Sequence, residues 1–330
     1  MVKIGINGFN RLGKIILRQS ASLEGVQVTV INDPLIDTDY LAYLTRYDSI
    51  YGRFNGRIEG GSGKLLVGNN EIDVRGNVSP SEVSWEDTDI VIETNPKATK
   101  DQAELIFKGK AKKVVVASGL GDIPVFAMGI NNKEYKGETL FSAGTCEANA
   151  VAVLTKVIND CFGVENAVAV NLVSMSYESM AIDGKNNGRW RNGRMASESV
   201  IPMASGIGPL AEKLLPEIKG LVSGITVSVP VKAGDMISLV CKLKTDTDYT
   251  TVVDILRKAS ENKFKGFLGV TDESVVSADF ISCKHTVTVD TRAGFVQGKN
   301  LLKLTGWYDK EWGYVSSLLE LLKYTENSLS

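Results

Sequence analysis

The motif Gly8-Phe9-Asn10-Arg11-Leu12-Gly13 joins an apolar run, residues 2–6, to an amphipathic one, residues 11–22. This is the strand-to-helix setting in which a G-x-G-x-x-G turn receives a dinucleotide pyrophosphate. Gly8 permits the tight turn and Gly13 permits close packing of the helix. The helix N-terminus offers N–H groups and the positive end of its dipole to phosphate. Asp33, about 20 residues further on, stands where an acid accepts hydrogen bonds from a ribose hydroxyl. The middle glycine is absent, and Asn10 occupies the point where backbone must approach the phosphates most closely. The motif therefore suits either a dinucleotide site or a plain structural βαβ turn.

Thiols and imidazole are the other groups with chemistry to offer. Cys146, Cys161, Cys241 and Cys283 are spaced too widely for a metal cluster or a disulfide framework. They read as reduced thiols of a cytoplasmic protein. His285 is the single histidine, so imidazole chemistry has one source.

The elements that must position these groups fall into two textures. Up to about residue 145, strand-like segments (2–6, 26–31, 89–93, 113–117) alternate with helix-like ones (11–22, 101–107). That order predicts a Rossmann-like parallel sheet with helices on both faces. In the first helix Leu12, Ile15 and Ile16 share a face that Gln19 interrupts. Beyond residue 166 come longer strand-like runs, at 167–176, 224–231, 236–244 and 287–289, with one clear helix at 250–262. This predicts an α+β domain with a mixed or antiparallel sheet. Residues 310–325 read as a last helix that buries Leu318, Leu319, Leu321 and Leu322. Residues 183–194 read as a polar, glycine-rich loop.

With 330 residues, 43% hydrophobic and 23% charged, the chain can bury a large core as two domains. A formal net charge of −2 and the lack of any basic run argue against nucleic acid and anionic membrane as partners. No apolar run is long enough to span a bilayer, and residues 1–5 lead directly into a strand, so no signal peptide is expected.

Further landmarks follow in order: Asn32-Asp33-Pro34, Tyr47-Asp48-Ser49, residues 128–131, Trp190-Arg191-Asn192-Gly193-Arg194, Ile201-Pro202, Trp307-Tyr308-Asp309 and Gly313-Tyr314. With the glycine motif they resemble the glyceraldehyde-3-phosphate dehydrogenase family along nearly the whole chain. The resemblance implies an NAD-binding domain (1–145 with 311–330) and a catalytic-type domain (146–310). It also implies an S-shaped loop at about 177–203 and a homotetramer. Cofactor contacts would come from Gly8, Arg11, Leu12, Gly13, Asp33, Ser118 and Tyr314. In the family's reaction a thiolate attacks an aldehyde, a histidine manages the proton, hydride passes to the nicotinamide, and phosphate cleaves the thioester.

Checked residue by residue, the chain departs from that pattern. Cys146 matches the nucleophile, within Ser142-Ala143-Gly144-Thr145-Cys146-Glu147-Ala148-Asn149, and the resemblance implies that it opens a helix, whose dipole should favour thiolate. Met175 falls at the histidine position of Met175-Ser176-Tyr177-Glu178, and a thioether moves no proton. His285 lies in a segment without a catalytic role in the family and reads as surface or structural. At the phosphate positions stand Glu147, Glu178, Met180, Ser205 and Ser228. Two donors have become acids and an arginine is lost, so a phosphate should be repelled; like charges about 4 Å apart cost about 4 kcal/mol at an effective dielectric of about 20. Lys310 replaces the asparagine that holds the carboxamide, and it could pair with Glu147 or Glu178 and fill the pocket itself. Asn10 and Pro96 obstruct the cofactor side.

The resemblance with these departures implies a pseudoenzyme with a binding, regulatory or structural role, to which an unidentified protein partner could belong. NAD binding would be weakened or lost, and no metal is expected. One alternative is an ordinary NAD-dependent phosphorylating aldehyde dehydrogenase; another is a dehydrogenase of altered substrate, acting through Cys146 on an unphosphorylated or cationic aldehyde with Glu147 or Glu178 as base.

Overall fold

The computed structural model describes residues 1–77, 79–176, 179–186 and 189–328. The chain divides into two compact units, Met1–Thr145 with Val315–Ser330, and Cys146–Tyr314.

The first unit carries eight strands: β1 (Val2–Asn7), β2 (Val26–Asn32), β3 (Ile58–Gly61), β4 (Lys64–Val67), β5 (Asn70–Arg75), β6 (Ile90–Glu93), β7 (Val114–Val116) and β8 (Leu140–Ser142). Their order in the sheet is β3-β4-β5-β2-β1-β6-β7-β8. The strands from β5 through β8 pair in parallel, and the β3–β4–β5 edge is antiparallel. Parallel strands need crossovers, which helices α1 (Arg11–Ser20), α2 (Thr38–Arg46) and α3 (Lys100–Leu105) help to supply. Ile4, Ile6, Ile31 and Ile90 are fully buried, as expected for a sheet covered on both faces. The chain order reverses beside β1, so the turn after β1 lies at the topological switch point where α/β sheets bind ligands.

Gln19, which interrupts the apolar face of α1, is buried and accepts a 2.8 Å hydrogen bond from Ser316 of the last helix. The interruption is a polar contact between two helices within this unit. The α1 helix stops at Ser20, two residues short of the expected end.

The second unit opens with α4 (Cys146–Phe162) and holds β9 (Val164–Val173), β10 (Ile201–Met203), α5 (Ile207–Leu214), β11 (Val222–Ser228), β12 (Asp235–Leu243), α6 (Tyr249–Glu261), β13 (Leu268–Thr271), β14 (Val287–Asp290), β15 (Phe295–Gln297) and β16 (Leu301–Tyr308). The sheet order is β10-β11-β9-β12-β16-β14-β13, with β15 on β16. It is mixed: β11–β9 and β13–β14 run parallel and the other pairs antiparallel. Helices α4 and α5 pack on one face, where Ala169, Leu239 and Cys241 are fully buried. On the other face Val168 and Val240 are register partners, 50% and 36% exposed. The last helix, α7 (Trp312–Asn327), starts two residues later than expected and buries Leu318, Leu319, Leu321 and Leu322. Within the expected 183–194 loop, Trp190–Gly193 forms a short 3-10 turn.

Candidate functional site

The turn after β1 keeps the first and last glycines of the motif. Gly8 has φ of 92°. A Cβ on Gly13 would sit 2.4 Å from the Gly8 carbonyl oxygen, so only glycine lets the helix close on the turn. Asp33 accepts hydrogen bonds from Phe9 N (2.7 Å) and Leu35 N (2.9 Å), which fixes its carboxylate at the end of β2. Asn10 is the N-cap of α1. Its Oδ1 accepts from Leu12 N (2.9 Å) and Gly13 N (3.2 Å), and its Nδ2 donates to Thr94 O (2.8 Å). Two N–H groups that would meet a phosphate are thus held by the protein's own side chain. Gly8, Gly13 and Asp33 fit a dinucleotide, and Asn10 does not.

Arg11 and Lys14 both pair with Asp48, Arg11 at 3.3 Å. Asp48 also accepts from Ile50 N and Tyr51 N, and these partners outweigh burial and hold its carboxyl down at about 2. Pro96 lies in an exposed turn after β6, closed by Ala98 N to Asn95 O at 3.1 Å. The Ser118 carbonyl accepts from Ser142 Oγ at 2.5 Å. Tyr314 is buried, which pushes its phenol up.

In the second unit Cys146 is the first residue of α4. Its Sγ donates to Glu147 Oε2 at 2.9 Å. The sulfur is hemmed in by protein although part of the residue reaches solvent, and desolvation pushes the thiol well up, with the carboxylates of Glu147 and Asp235 adding to the effect. Lys310 opposes it without overturning it. The helix start alone would favour thiolate, but a hydrogen-bonding carboxylate one residue away favours S–H.

Lys310 Nζ donates to Ser174 O (2.7 Å) and Met175 O (3.3 Å), just past the end of β9. Among the described residues Lys310 forms no ion pair with Glu147, and the two carbonyls hold the ammonium. Glu178 and Tyr177 lie outside the described residues. Met175 is half-buried, with its N–H on Val231 O.

Glu147, Met180 and Ser228 come together on one cleft of about 240 Å³, with Ser176, Ser179, Arg189, Asn192 and Thr226 among the other lining residues. Ser205 is not on that wall. Its hydroxyl accepts from Ile207 N at 3.2 Å at the start of α5, and Ala204 lines the cleft instead. Arg189 returns a cation to a wall where the sequence had shown only acids and neutral groups. It went unnoticed because its position in the glycine-rich loop carries no chemical signal.

Sequence reasoning also missed Asp235. It is 1% exposed at the first residue of β12, where Oδ1 accepts from Ser174 N at 2.8 Å and Oδ2 has no hydrogen-bond partner among the described residues. Desolvation pushes its carboxyl up to about 6 against the pull of Lys310. Ser174 is thus held at both ends, its N–H by Asp235 and its carbonyl by Lys310. An acid opening an otherwise apolar strand was the only available sign. Nearby, Tyr308 donates to Asn171 Oδ1 at 2.8 Å, with both residues buried. His285 contacts Thr288 and Cys283 rather than Cys146 among the described contacts. Among the described residues no His, Cys, Asp and Glu cluster could hold a metal ion, and no helix is long and apolar enough to cross a membrane.

A parallel sheet with a glycine turn at its switch point, followed by a mixed-sheet unit that opens on a helix-initiating cysteine, defines a two-domain dehydrogenase class of scaffold. Residues 2–121 match the family model for the NAD binding domain of glyceraldehyde 3-phosphate dehydrogenase, and residues 145–310 match that for its C-terminal domain. The chain is 37% identical over 327 residues to glyceraldehyde-3-phosphate dehydrogenase 1 of Schizosaccharomyces pombe, covering 98% of this chain and 97% of that protein. It is 36% identical to glyceraldehyde-3-phosphate dehydrogenase 2 of Agaricus bisporus and to glyceraldehyde-3-phosphate dehydrogenase 1 of Giardia intestinalis, each over 328 residues, with 98% of this chain and 97% of the relative covered. This chain belongs to the glyceraldehyde-3-phosphate dehydrogenase family.

Proposed function

We propose that this family member is catalytically degenerate toward glyceraldehyde 3-phosphate and keeps the scaffold for a binding, regulatory or structural role. The observation that carries the reading is the state of Cys146: its thiol is bonded to a carboxylate and pushed up, where a nucleophile needs to be drawn down. Met175 at the aligned histidine position supplies no base. Loss of a general base removes about 10²–10⁴ in rate. The test is an assay of purified protein with glyceraldehyde 3-phosphate, NAD and phosphate. Background activity is expected, and robust turnover would make the chain an ordinary dehydrogenase, as the names of its relatives suggest.

Cofactor affinity is weakened or lost in this reading, because Asn10 holds the N–H groups of Leu12 and Gly13. Pro96 and Lys310 are the other departures on the cofactor side. Calorimetry should find no NAD binding in the micromolar range. A homotetramer in the cytoplasm, with an unidentified protein partner, completes the proposal. The exposed apolar sheet face around Val168 and Val240 supports the assembly.

A second reading rests on the same 2.9 Å contact: Glu147 is placed to take the Cys146 proton. Its substrate would be an aldehyde that tolerates the acid, unphosphorylated or cationic, in the hydroxyl-lined cleft. A screen of such aldehydes with NAD decides it, and a negative screen with Cys146 unlabelled by electrophiles at neutral pH retires it.

A further inference from the structure

Cys283, His285 and Thr288 lie together on and before β14, apart from the groups assigned to Cys146. His285 Nδ1 is 3.3 Å from Thr288 Oγ1 and 3.9 Å from Cys283 Sγ, and Cys283 Sγ is 3.8 Å from Thr288 Oγ1. Each group is within hydrogen-bond reach of the other two, given the larger radius of sulfur. The backbone around them is fixed. Ser282 has φ of 66°, and its N–H is held by Asp309 Oδ2 at 2.9 Å. Cys283 N bonds Phe280 O at 3.0 Å. Two glycines make room for the cluster. A Cβ on Gly269 would fall 2.4 Å from His285 Nδ1 and 2.7 Å from Thr288 Oγ1, and one on Gly313 would meet the His285 carbonyl at 2.5 Å.

We propose that these three residues form a second thiol site, in which His285 accepts the Cys283 proton and the sulfur exchanges with small disulfides. The step balances without any further oxidant. The Cys283 S–H proton passes to His285 Nδ1, and the sulfur attacks one sulfur of the disulfide. A protein–S–S–R bond forms, the R–S–S–R bond breaks, and the departing RS⁻ takes the proton back from His285 as RSH. Once Nδ1 is protonated, the Thr288 hydroxyl can turn from the ring to donate to the thiolate. Cys283 is half-buried, so a small molecule can reach it and the thiolate stays partly shielded. Burial alone lowers His285 below 6.5, which keeps the ring a neutral acceptor at pH 7. Lys284 beside it, Asp290 on β14, and Asp309 and Glu311 before α7 do not contribute to that shift. This site does not depend on the state of Cys146.

The experiment uses the full chain and 4,4′-dithiodipyridine, with thiopyridone release followed by absorbance and the labelled cysteines identified by peptide mass mapping. Cys161 is the internal ruler: it is the more exposed thiol, pushed up by burial and by Asp160. Cys283 should react about tenfold or more faster than Cys161 at pH 7, and His285→Gln should slow Cys283 about tenfold or more with Cys161 unchanged. In the unaltered protein the Cys283 rate should rise through a step below pH 6.5, and that step should vanish in His285→Gln. Should the variant not fold, the pH step in the unaltered protein still decides. Reaction no faster than at Cys161, an unchanged rate in His285→Gln, or the lack of a step below pH 6.5 overturns the proposal.

Discussion

Glu147 is the side chain on which the two readings of Cys146 divide. A carboxylate 2.9 Å from the sulfur stabilises the thiol as its acceptor, and it could equally act as a base. If the site is degenerate, Glu147→Gln removes a negative neighbour and the thiol falls toward its ordinary range. Labelling of Cys146 by iodoacetamide at pH 7 should then speed up, about tenfold for each pKa unit recovered. Slower labelling would identify Glu147 as the base. Asp235 has a separate signature in stability. Its carboxyl sits at about 6 in the fold, against 3.8 when unperturbed. A raised acid costs the fold nothing below about pH 4, an increasing amount between pH 4 and 6, and a constant amount above. The full cost is about 3 kcal/mol. Asp235→Asn keeps an acceptor for Ser174 N and removes the charge. Urea unfolding should show the variant gaining on the parent between pH 4.5 and 7, and a pH-independent difference would refute the assignment.

At the scale of the element, α1 shows how a helix start can be satisfied by its own chain. Asn10 is a good N-cap, and its amide also ties the turn to Thr94 beyond β6. Asn10→Gly should cost only a few tenths of a kcal/mol as a cap. It would free Leu12 N and Gly13 N, so NAD affinity measured by calorimetry should rise roughly tenfold or more. No gain would mean that Pro96 or Lys310 limits the cofactor. Gly13 tests the other half of the motif. Gly13→Ala drives a methyl into the Gly8 carbonyl 2.4 Å away and should destabilise the protein by about 1–3 kcal/mol in denaturant titration.

For the whole molecule, the open face of the second sheet is the feature that calls for a partner. Val168 and Val240 stand side by side in register, and Ile225, Phe295 and Leu301 are also exposed. A face of this kind is ordinarily covered. Val240→Asp should reduce the mass seen by light scattering without lowering helix or strand content by circular dichroism. A monomeric parent protein would remove the assembly reading altogether.

Local composition determined much of this protein. Short continuous apolar runs and the glycine turn specified the parallel strands and α1, because burial and backbone freedom are written in residue type. The order of landmarks gave the family, and the residue types of Cys146, Glu147, Met175 and Lys310 were legible at once. Tertiary structure decided what those groups touch. That Asn10 caps its own helix, that Lys310 is held by the carbonyls of Ser174 and Met175, and that Glu147 bonds the thiol depend on side-chain direction and on neighbours close in space. Asp235 and the Cys283–His285–Thr288 cluster stayed hidden for the same reason. The charge state of a carboxyl or thiol follows from desolvation and from partners on other strands, and one-dimensional spacing encodes neither.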